Sequence, residues 1–174
     1  MLLQALILGA VQIQTLNVAI SGGHETDPRD RGRPVVLVAA GLGVPADVFR
    51  EAFTHVRPAP AGSRPDPQQV QQNKSALLTA LGRYGVTNER LDEVSNYYRY
   101  RRESGEIWTS TPAKALATIR KGVVSIRIVQ AGSGYSSPPS VSIEGHPEIK
   151  LIAKVSYGKD LATNGSISSI SVAK

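Results

Sequence analysis

The chain has 174 residues, of which 41% are hydrophobic and 20% are charged. This is enough apolar material for one folded domain or two small ones, and the composition lacks the bias of a disordered chain. There is no cysteine, which excludes disulfides, thiolate metal sites and a cysteine nucleophile. The 20 basic and 14 acidic side chains give a net charge of +6, which favours anionic partners.

The N-terminal segment carries no charged side chain before Gly23. Its stretch "LLQALILGAV" resembles the apolar core of a signal peptide, without basic residues before it or an Ala-x-Ala cleavage site after it. Gln12 and Gln14 interrupt the run short of the ~20 apolar residues of a membrane-spanning helix, so no transmembrane segment is expected. From Val11 the apolar residues alternate, which is typical of a strand. We expect a degenerate export signal, or a first strand, over residues 1–22, in a secreted, periplasmic or cell-surface protein; the alternative is a buried first strand in an unexported protein.

Four helices are predicted next, arranged as two αα-hairpins. The first begins at Pro34 in "PVVLVAAGLGV" and the second is the amphipathic "PADVFREAFTHV". Residues 68–81 form the third, and "NERLDEVSNYYRY" forms the fourth, with Thr87 or Asn88 as its cap. Both hairpins contain a Gly-Val pair followed by an acidic amphipathic helix, which indicates an internal duplication.

After this point the sequence becomes rich in Val, Ile and Ser with a period of two, which predicts four strands. We therefore predict an α+β fold, in which a helical domain (residues 23–121) precedes a small antiparallel β-domain (residues 122–174). The boundary is expected near Gly122. The N-terminal strand is a further candidate member of the β-domain's sheet.

The stretch "QAGSGYSSPPSVSIEG" lies between two of these strands. Gly132 and Gly134 allow positive φ angles, as a sharp change of strand direction requires. Tyr135 is expected to lay its ring over a strand edge and to place its hydroxyl on a backbone partner. Pro138 and Pro139 hold the next segment extended and withhold donors from edge pairing. We predict a structural corner; the alternative is a ligand platform on which Tyr135 stacks against a sugar.

This stretch resembles the Gly-x-Gly-Tyr-x-x-Pro-Pro β-repeat of phage tail fibres and bacterial surface proteins. The upstream stretches "GGHETDPRDRGRPVVLVAAGLGV", "VFREAFTHVRPAPAG" and "YGVTNERLDEVSNYYRYRR" are similar to a group of uncharacterised exported proteins of planctomycete-type bacteria. The resemblance covers the chain from about Ile20 onward. It implies export and a modular β-unit, and it implies no catalytic residue.

Two clusters are candidate sites. His24, Glu25, Asp27 and Asp30 lie within one short loop, where oxygen ligands could bind calcium or a histidine–carboxylate pair could perform acid–base chemistry. This signal is weak, since the loop lacks the glycine and terminal glutamate of an EF-hand. The alternative is a structural loop in which Asp27 caps a turn at Pro28 and Asp30 pairs with Arg29, Arg31 or Arg33.

The second cluster is aromatic and basic. Its members are Tyr97, Tyr98, Tyr100, Arg101, Arg102 and Trp108. Tyrosine interleaved with arginine is typical of surfaces that meet single-stranded nucleic acid, sugar acids or a protein partner. The alternative is a core-facing stripe with arginine stems packed beside it. We choose this cluster as the candidate partner-binding surface.

The predicted function is a non-catalytic exported interaction or structural module that binds a surface polymer, a protein or copies of itself. The alternative is a small hydrolase or metal-dependent enzyme centred on His24. The sequence has no Gly-x-Ser-x-Gly elbow and no phosphate-binding loop. Sequence-specific DNA binding is not expected, because the second helix of each hairpin is acidic and would repel phosphate.

Overall fold

The computed structural model describes residues 13–57, 66–99 and 105–173. Within these ranges the chain forms four α-helices and two antiparallel sheets, of four and two strands, which confirms the α+β class. The helices are α1 (Val35–Leu42), α2 (Ala46–Thr54), α3 (Pro67–Leu81) and α4 (Asn88–Tyr97). The strands are β1 (Ile13–Ser21), β2 (Lys114–Arg120), β3 (Val123–Gln130), β4 (Ser140–Ile143), β5 (Leu151–Ser156) and β6 (Ser166–Val172).

The six strands together form what we call the β-unit. The larger sheet has the order β3-β2-β1-β4, and the smaller one pairs β5 with β6. Strand β4 also lies against β5, and β3 lies against β6, so the two sheets meet along both edges. Alternate residues of the strands point inward, and their apolar side chains form one buried cluster. The members of this cluster include Val18, Ala115, Ala117, Ile143, Ala153 and Ile167.

The N-terminal strand is a full member of this unit, because β1 pairs with β2 on one side and β4 on the other. The boundary predicted near Gly122 needs a correction, since it falls in the tight turn that joins β2 to β3. Lys121 and Gly122 both have positive φ there, as a two-residue hairpin turn requires. Strand β2 therefore belongs to the β-unit, although the prediction placed it in the helical domain.

The helical unit (residues 28–97) is inserted between β1 and β2. Helix α1 packs against α2 and α4, and α2 packs against α3. The predicted cap of α4 is present, because the Thr87 hydroxyl accepts a hydrogen bond from the Arg90 amide at 3.2 Å. Buried leucine, valine and phenylalanine side chains form its core, which has Leu37, Leu81 and Val94 at its centre.

The helical unit contacts one end of the β-unit. The loop between β5 and β6 extends from this end and inserts Leu161 into the helical core. Arg90, on α4, donates hydrogen bonds to the carbonyls of Gly41 and Lys159 and so ties this loop to α1. Ile13 and Val172 lie at the opposite end of the β-unit, beside the β2–β3 turn. The buried contacts of the β5–β6 loop therefore join the two units at the end of the β-unit that lies opposite Ile13 and Val172.

Candidate functional site

The corner predicted at Gly132–Pro139 lies at the junction of the two units. Gly132 has a φ of 67° and Gly134 a φ of 81°, which are the positive angles that the sequence predicted. The Tyr135 hydroxyl accepts a hydrogen bond from the Ala113 amide at 3.0 Å. Its ring is buried and stacks on His24, with 5.3 Å between ring centroids. A buried ring has no free face for a sugar, so the geometry fits the corner and gives no support to the ligand platform.

Pro138 is exposed, whereas Pro139 is buried and packs against Gly23. The Gly23 carbonyl accepts hydrogen bonds from the amides of Ser136 and Ser137. The two prolines therefore lead the chain from the junction into β4 while the preceding serines attach it to the loop after β1.

Three polar contacts across the junction involve residues from distant parts of the sequence. The indole Nε1 of Trp108 donates a hydrogen bond to the Gly134 carbonyl at 2.8 Å. The side-chain Nδ2 of Asn164 donates to the Leu37 carbonyl at 2.8 Å and to the Tyr98 hydroxyl at 2.9 Å. Asn164 was not singled out from sequence, because "ATNGS" has the ordinary composition of a turn.

Two of the three described members of the aromatic and basic cluster are buried in the core, as the alternative of a core-facing stripe predicted. Tyr98 and Trp108 are each only 3% exposed and belong to the helical core. Tyr97 is partly buried, packs edge-on against Tyr98 and lines a surface depression of about 350 Å³. Tyr98 and Trp108 are buried because the junction supplies hydrogen-bond partners for their polar atoms as well as apolar contact. Tyr100, Arg101 and Arg102 lie outside the described residues.

Burial of Tyr98 predicts sensitivity to alkaline pH. Burial raises the pKa of its hydroxyl to about 12, against about 10 in an unfolded chain. Between these values the unfolded chain has released a proton that the folded chain retains, so the free energy of unfolding falls as pH rises. The contribution of Tyr98 to the free energy of unfolding is fully present below about pH 10 and is lost as the pH rises from about 10 to about 12. Urea titrations over this range should show the decline, and Tyr98→Phe should reduce it.

Tyr84 supplies a matched control, because it is 40% exposed. Tyr84→Phe should leave the alkaline decline unchanged. Burial also raises the pKa of Tyr157, so part of the decline should persist in Tyr98→Phe. An identical pH profile for wild type and Tyr98→Phe would contradict the assignment.

The three acids of the metal-site prediction each form hydrogen bonds with different partners. Glu25 accepts hydrogen bonds from the Gly23 amide and the Ser137 hydroxyl, and the latter contributes most to lowering its pKa. The carboxylate of Asp27 caps the Arg29 amide and also accepts from the guanidinium of Arg29. The hydrogen bonds from Arg29 hold the pKa of Asp27 at about 2. In the parts of the chain that the structure describes, no group of three or more His, Asp or Glu side chains is placed to hold a metal ion.

Asp30 is buried and forms an ion pair with Arg50, with 2.7 Å between Nε and Oδ1. The sequence alternative paired it with Arg29, Arg31 or Arg33, and that choice of partner is wrong. Arg50 lies on α2, and it also contacts Asp47 one turn earlier. The ion pair therefore attaches the loop before α1 to α2, which is a structural role for an acid predicted to bind a metal.

His24, the centre of the enzyme hypothesis, packs between two rings. Its ring lies 5.3 Å from Tyr135 and 6.0 Å from Trp108. Its Nε2 is buried, and within the described residues it has no hydrogen-bond partner. A general base needs a proton donor or substrate within hydrogen-bond reach and is usually oriented by a further group. The geometry of His24 provides neither, so it gives the hydrolase hypothesis no support.

A different feature, which the sequence reasoning missed, is a cationic pocket on the helical unit. Four arginines and one aspartate line it beside apolar side chains, and its volume is about 440 Å³. We call it the arginine pocket and define it by Arg29, Arg31, Arg33, Arg50, Phe53 and Val56. The signal in the sequence was "RDRGRP", where three arginines recur at every second position. The only role predicted for these arginines from the sequence is as partners for Asp30.

The arginines of this pocket differ in how their charges are balanced. Arg29 and Arg50 pair with carboxylates, as described above. Arg31, at a left-handed φ of 51°, is exposed, and Arg33 is partly buried with its guanidinium 4.6 Å from the centroid of the Phe53 ring. Neither Arg31 nor Arg33 has a carboxylate partner within the described residues. Burial, together with the charge of Arg31, lowers the pKa of Arg33. The pocket therefore carries positive charge that the described residues leave unneutralised.

Comparisons with protein-family models, with curated proteins and with solved structures found no match to this chain. None of the helices in the described ranges combines the length and the apolar character needed to cross a membrane.

Proposed function

We propose that this chain is a non-catalytic, exported interaction module that binds an anionic partner of the cell surface through its helical unit. The observation that carries the proposal is the arginine pocket, where no carboxylate among the described residues pairs with Arg31 or Arg33. Unpaired guanidinium groups bind carboxylate, sulfate or phosphate through charge-assisted hydrogen bonds. Export is supported by the uncharged, apolar N-terminal segment and by the resemblance to exported bacterial proteins.

The pocket lies on a unit that is attached to the β-unit through buried contacts. It is built from the loop before α1 and from one side of α2, whereas Ile13 and Val172 lie at the far end of the β-unit. The junction fixes the helical unit on the β-unit through buried side chains. A partner that approaches the helical unit therefore meets a pre-formed surface, which lowers the entropic cost of binding.

A pair of matched polymers tests the proposal. We expect the protein to bind immobilised dextran sulfate and not neutral dextran, with affinity that falls as salt rises from about 50 to 500 mM, because exposed charges are screened. The double variant Arg31→Gln/Arg33→Gln should weaken binding by about tenfold. Its control, Arg83→Gln/Arg127→Gln, removes the same charge from exposed positions outside the pocket.

Two results would contradict the proposal. Equal loss of binding in both double variants would show that net charge alone is responsible. Hydrolysis of a polysaccharide or peptide that is abolished by His24→Ala would identify the enzyme alternative instead. Circular dichroism of each variant, compared with the wild type, separates a loss of binding from a loss of the fold, which matters most for the partly buried Arg33.

A further inference from the structure

We propose that the arginine pocket recognises a carboxylate attached to an apolar group, with Arg33 binding the carboxylate and the side chains beside Phe53 receiving the apolar part. This inference rests on the proposed function and specifies the ligand class of the same site. Its basis is the combination, in one pocket, of an unneutralised arginine with an apolar wall.

The first step of the argument concerns Arg33. Its guanidinium stacks over the Phe53 ring, an arrangement that leaves the N–H groups at the edge of the guanidinium plane available to an acceptor. No hydrogen-bond acceptor or carboxylate of the described residues uses these donors. A partly buried guanidinium without a counterion has lost part of its hydration, which is energetically unfavourable. An anion in the pocket would offset this loss, and its attraction to Arg33 would be screened less than in open solvent.

The second step concerns the apolar wall. Val35 is buried, Phe53 and Val56 are partly buried, and all three line the pocket. Phe53 also packs against Phe49, with 5.7 Å between ring centroids. The parts of Phe53 and Val56 that remain exposed give an aromatic or aliphatic group an apolar surface to contact. A volume of about 440 Å³ falls in the range of ~300–1,000 Å³ typical of small-molecule sites.

The third step distinguishes carboxylates from other anions. A carboxylate is planar, and its two oxygens match the planar donor fork of arginine. Arginine also pairs with phosphate and sulfate, but a strongly hydrated polyanion gains nothing from an aromatic and aliphatic wall. An amphipathic carboxylate uses both parts of the pocket, whereas a polyanion uses only the charges.

Titrations observed by NMR with matched probes test the inference on the full chain. We expect N-acetylphenylalanine to bind at least about tenfold more tightly than N-acetylphenylalanine amide, which has the same ring without the charge. Acetate, which has the charge without the ring, should also bind about tenfold more weakly. The peptide Gly-Gly-Phe, compared with its C-terminal amide, tests a chain terminus as the source of the carboxylate, and 3-phenylpropionate, which has no amide, tests a free acid. A preference for the charged form in either pair supports the inference.

The chain offers a matched arginine for the variants. Arg83 also stacks on an aromatic ring, with its guanidinium 5.1 Å from the Tyr84 centroid, and it lies outside the pocket. Arg33→Gln should weaken binding of N-acetylphenylalanine by about tenfold, and Arg83→Gln should leave it unchanged. If Arg33→Gln fails to fold, the comparison of acid with amide on the wild type still tests the inference.

The outcomes separate this inference from the proposed function. If neither N-acetylphenylalanine nor Gly-Gly-Phe binds better than its amide while binding of dextran sulfate still depends on Arg31 and Arg33, the inferred carboxylate ligand is wrong and the proposed interaction module is still supported. The carboxylate class is also wrong if phenyl phosphate binds tenfold or more tightly than N-acetylphenylalanine. If neither the polymer nor the acid binds, both proposals are wrong.

Discussion

Asn164→Leu is expected to lower the free energy of unfolding by about 4 kcal/mol, because it removes a buried amide from the junction and leaves its partners unpaired. Asn164 is completely buried, and its Nδ2 donates to the Leu37 carbonyl and the Tyr98 hydroxyl. Its Oδ1 accepts a hydrogen bond from the Gly158 amide at 3.1 Å. Leucine has a similar volume but none of these polar atoms. The decrease in the free energy of unfolding therefore comes from unsatisfied hydrogen bonds more than from a cavity.

Urea unfolding, followed through the single tryptophan, measures this effect. Trp108 is buried in the same junction, so its fluorescence reports the contacts that Asn164 maintains. The control is Asn17→Leu, at an exposed position on β1, which should change stability by no more than about 0.5 kcal/mol. A comparably small effect of Asn164→Leu would show that the junction does not depend on this amide.

Gly134→Ala is expected to lower the free energy of unfolding by about 3 kcal/mol or more, since it combines two separate penalties. The first is the φ of 81°, which residues with a Cβ rarely adopt. The second is steric, because a Cβ at this position would lie 2.7 Å from the Thr109 carbonyl oxygen and 2.8 Å from the Ser110 Cβ. The backbone of the segment after Trp108 would have to move, and with it the hydrogen bond between Trp108 and the Gly134 carbonyl.

Gly122→Ala separates the two penalties. Gly122 has a φ of 76°, similar to that of Gly134, but no atom lies within 4 Å of the position that a Cβ would occupy. It should therefore show the backbone penalty alone, about 1 kcal/mol. Equal effects of the two substitutions on thermal or urea unfolding would mean that close packing at the corner contributes nothing.

Several local features could be predicted from sequence because they depend on neighbouring residues. The start of α1 beside Pro34 and the cap of α4, predicted at Thr87 or Asn88 and found at Thr87, were readable from single residue types in a periodic pattern. The positive φ angles of Gly132 and Gly134 followed from the Gly-x-Gly spacing before a strand. Strand β2 was missed at the boundary, although the Lys121–Gly122 pair between two alternating runs was a usable hairpin signal.

The candidate site could not be predicted in the same way, because its residues meet only after folding. In sequence, Tyr98 and Trp108 had the features of a surface that binds a partner. In the structure, Asn164 donates a hydrogen bond to the Tyr98 hydroxyl, and the Gly134 carbonyl accepts one from the Trp108 indole. Burial of a Tyr or Trp depends on such partners, which come here from residues far away in the chain. A local sequence pattern therefore cannot predict these partners.

By itself, the sequence determined the α+β class, the four helices and the alternating strands, since periodicity and capping act over a few residues. Its composition also determined the excess of positive charge. Only the tertiary structure decided that β1 lies inside the larger sheet and that the helical unit is an insertion between β1 and β2. It also decided which charges remain available: Asp30 is neutralised by Arg50 on α2, while Arg33 lies over Phe53 and pairs with no carboxylate in the part of the chain that the structure describes. The physical reason is that pairing and burial are set by long-range contacts, whose energies depend on distance and desolvation and not on order along the chain.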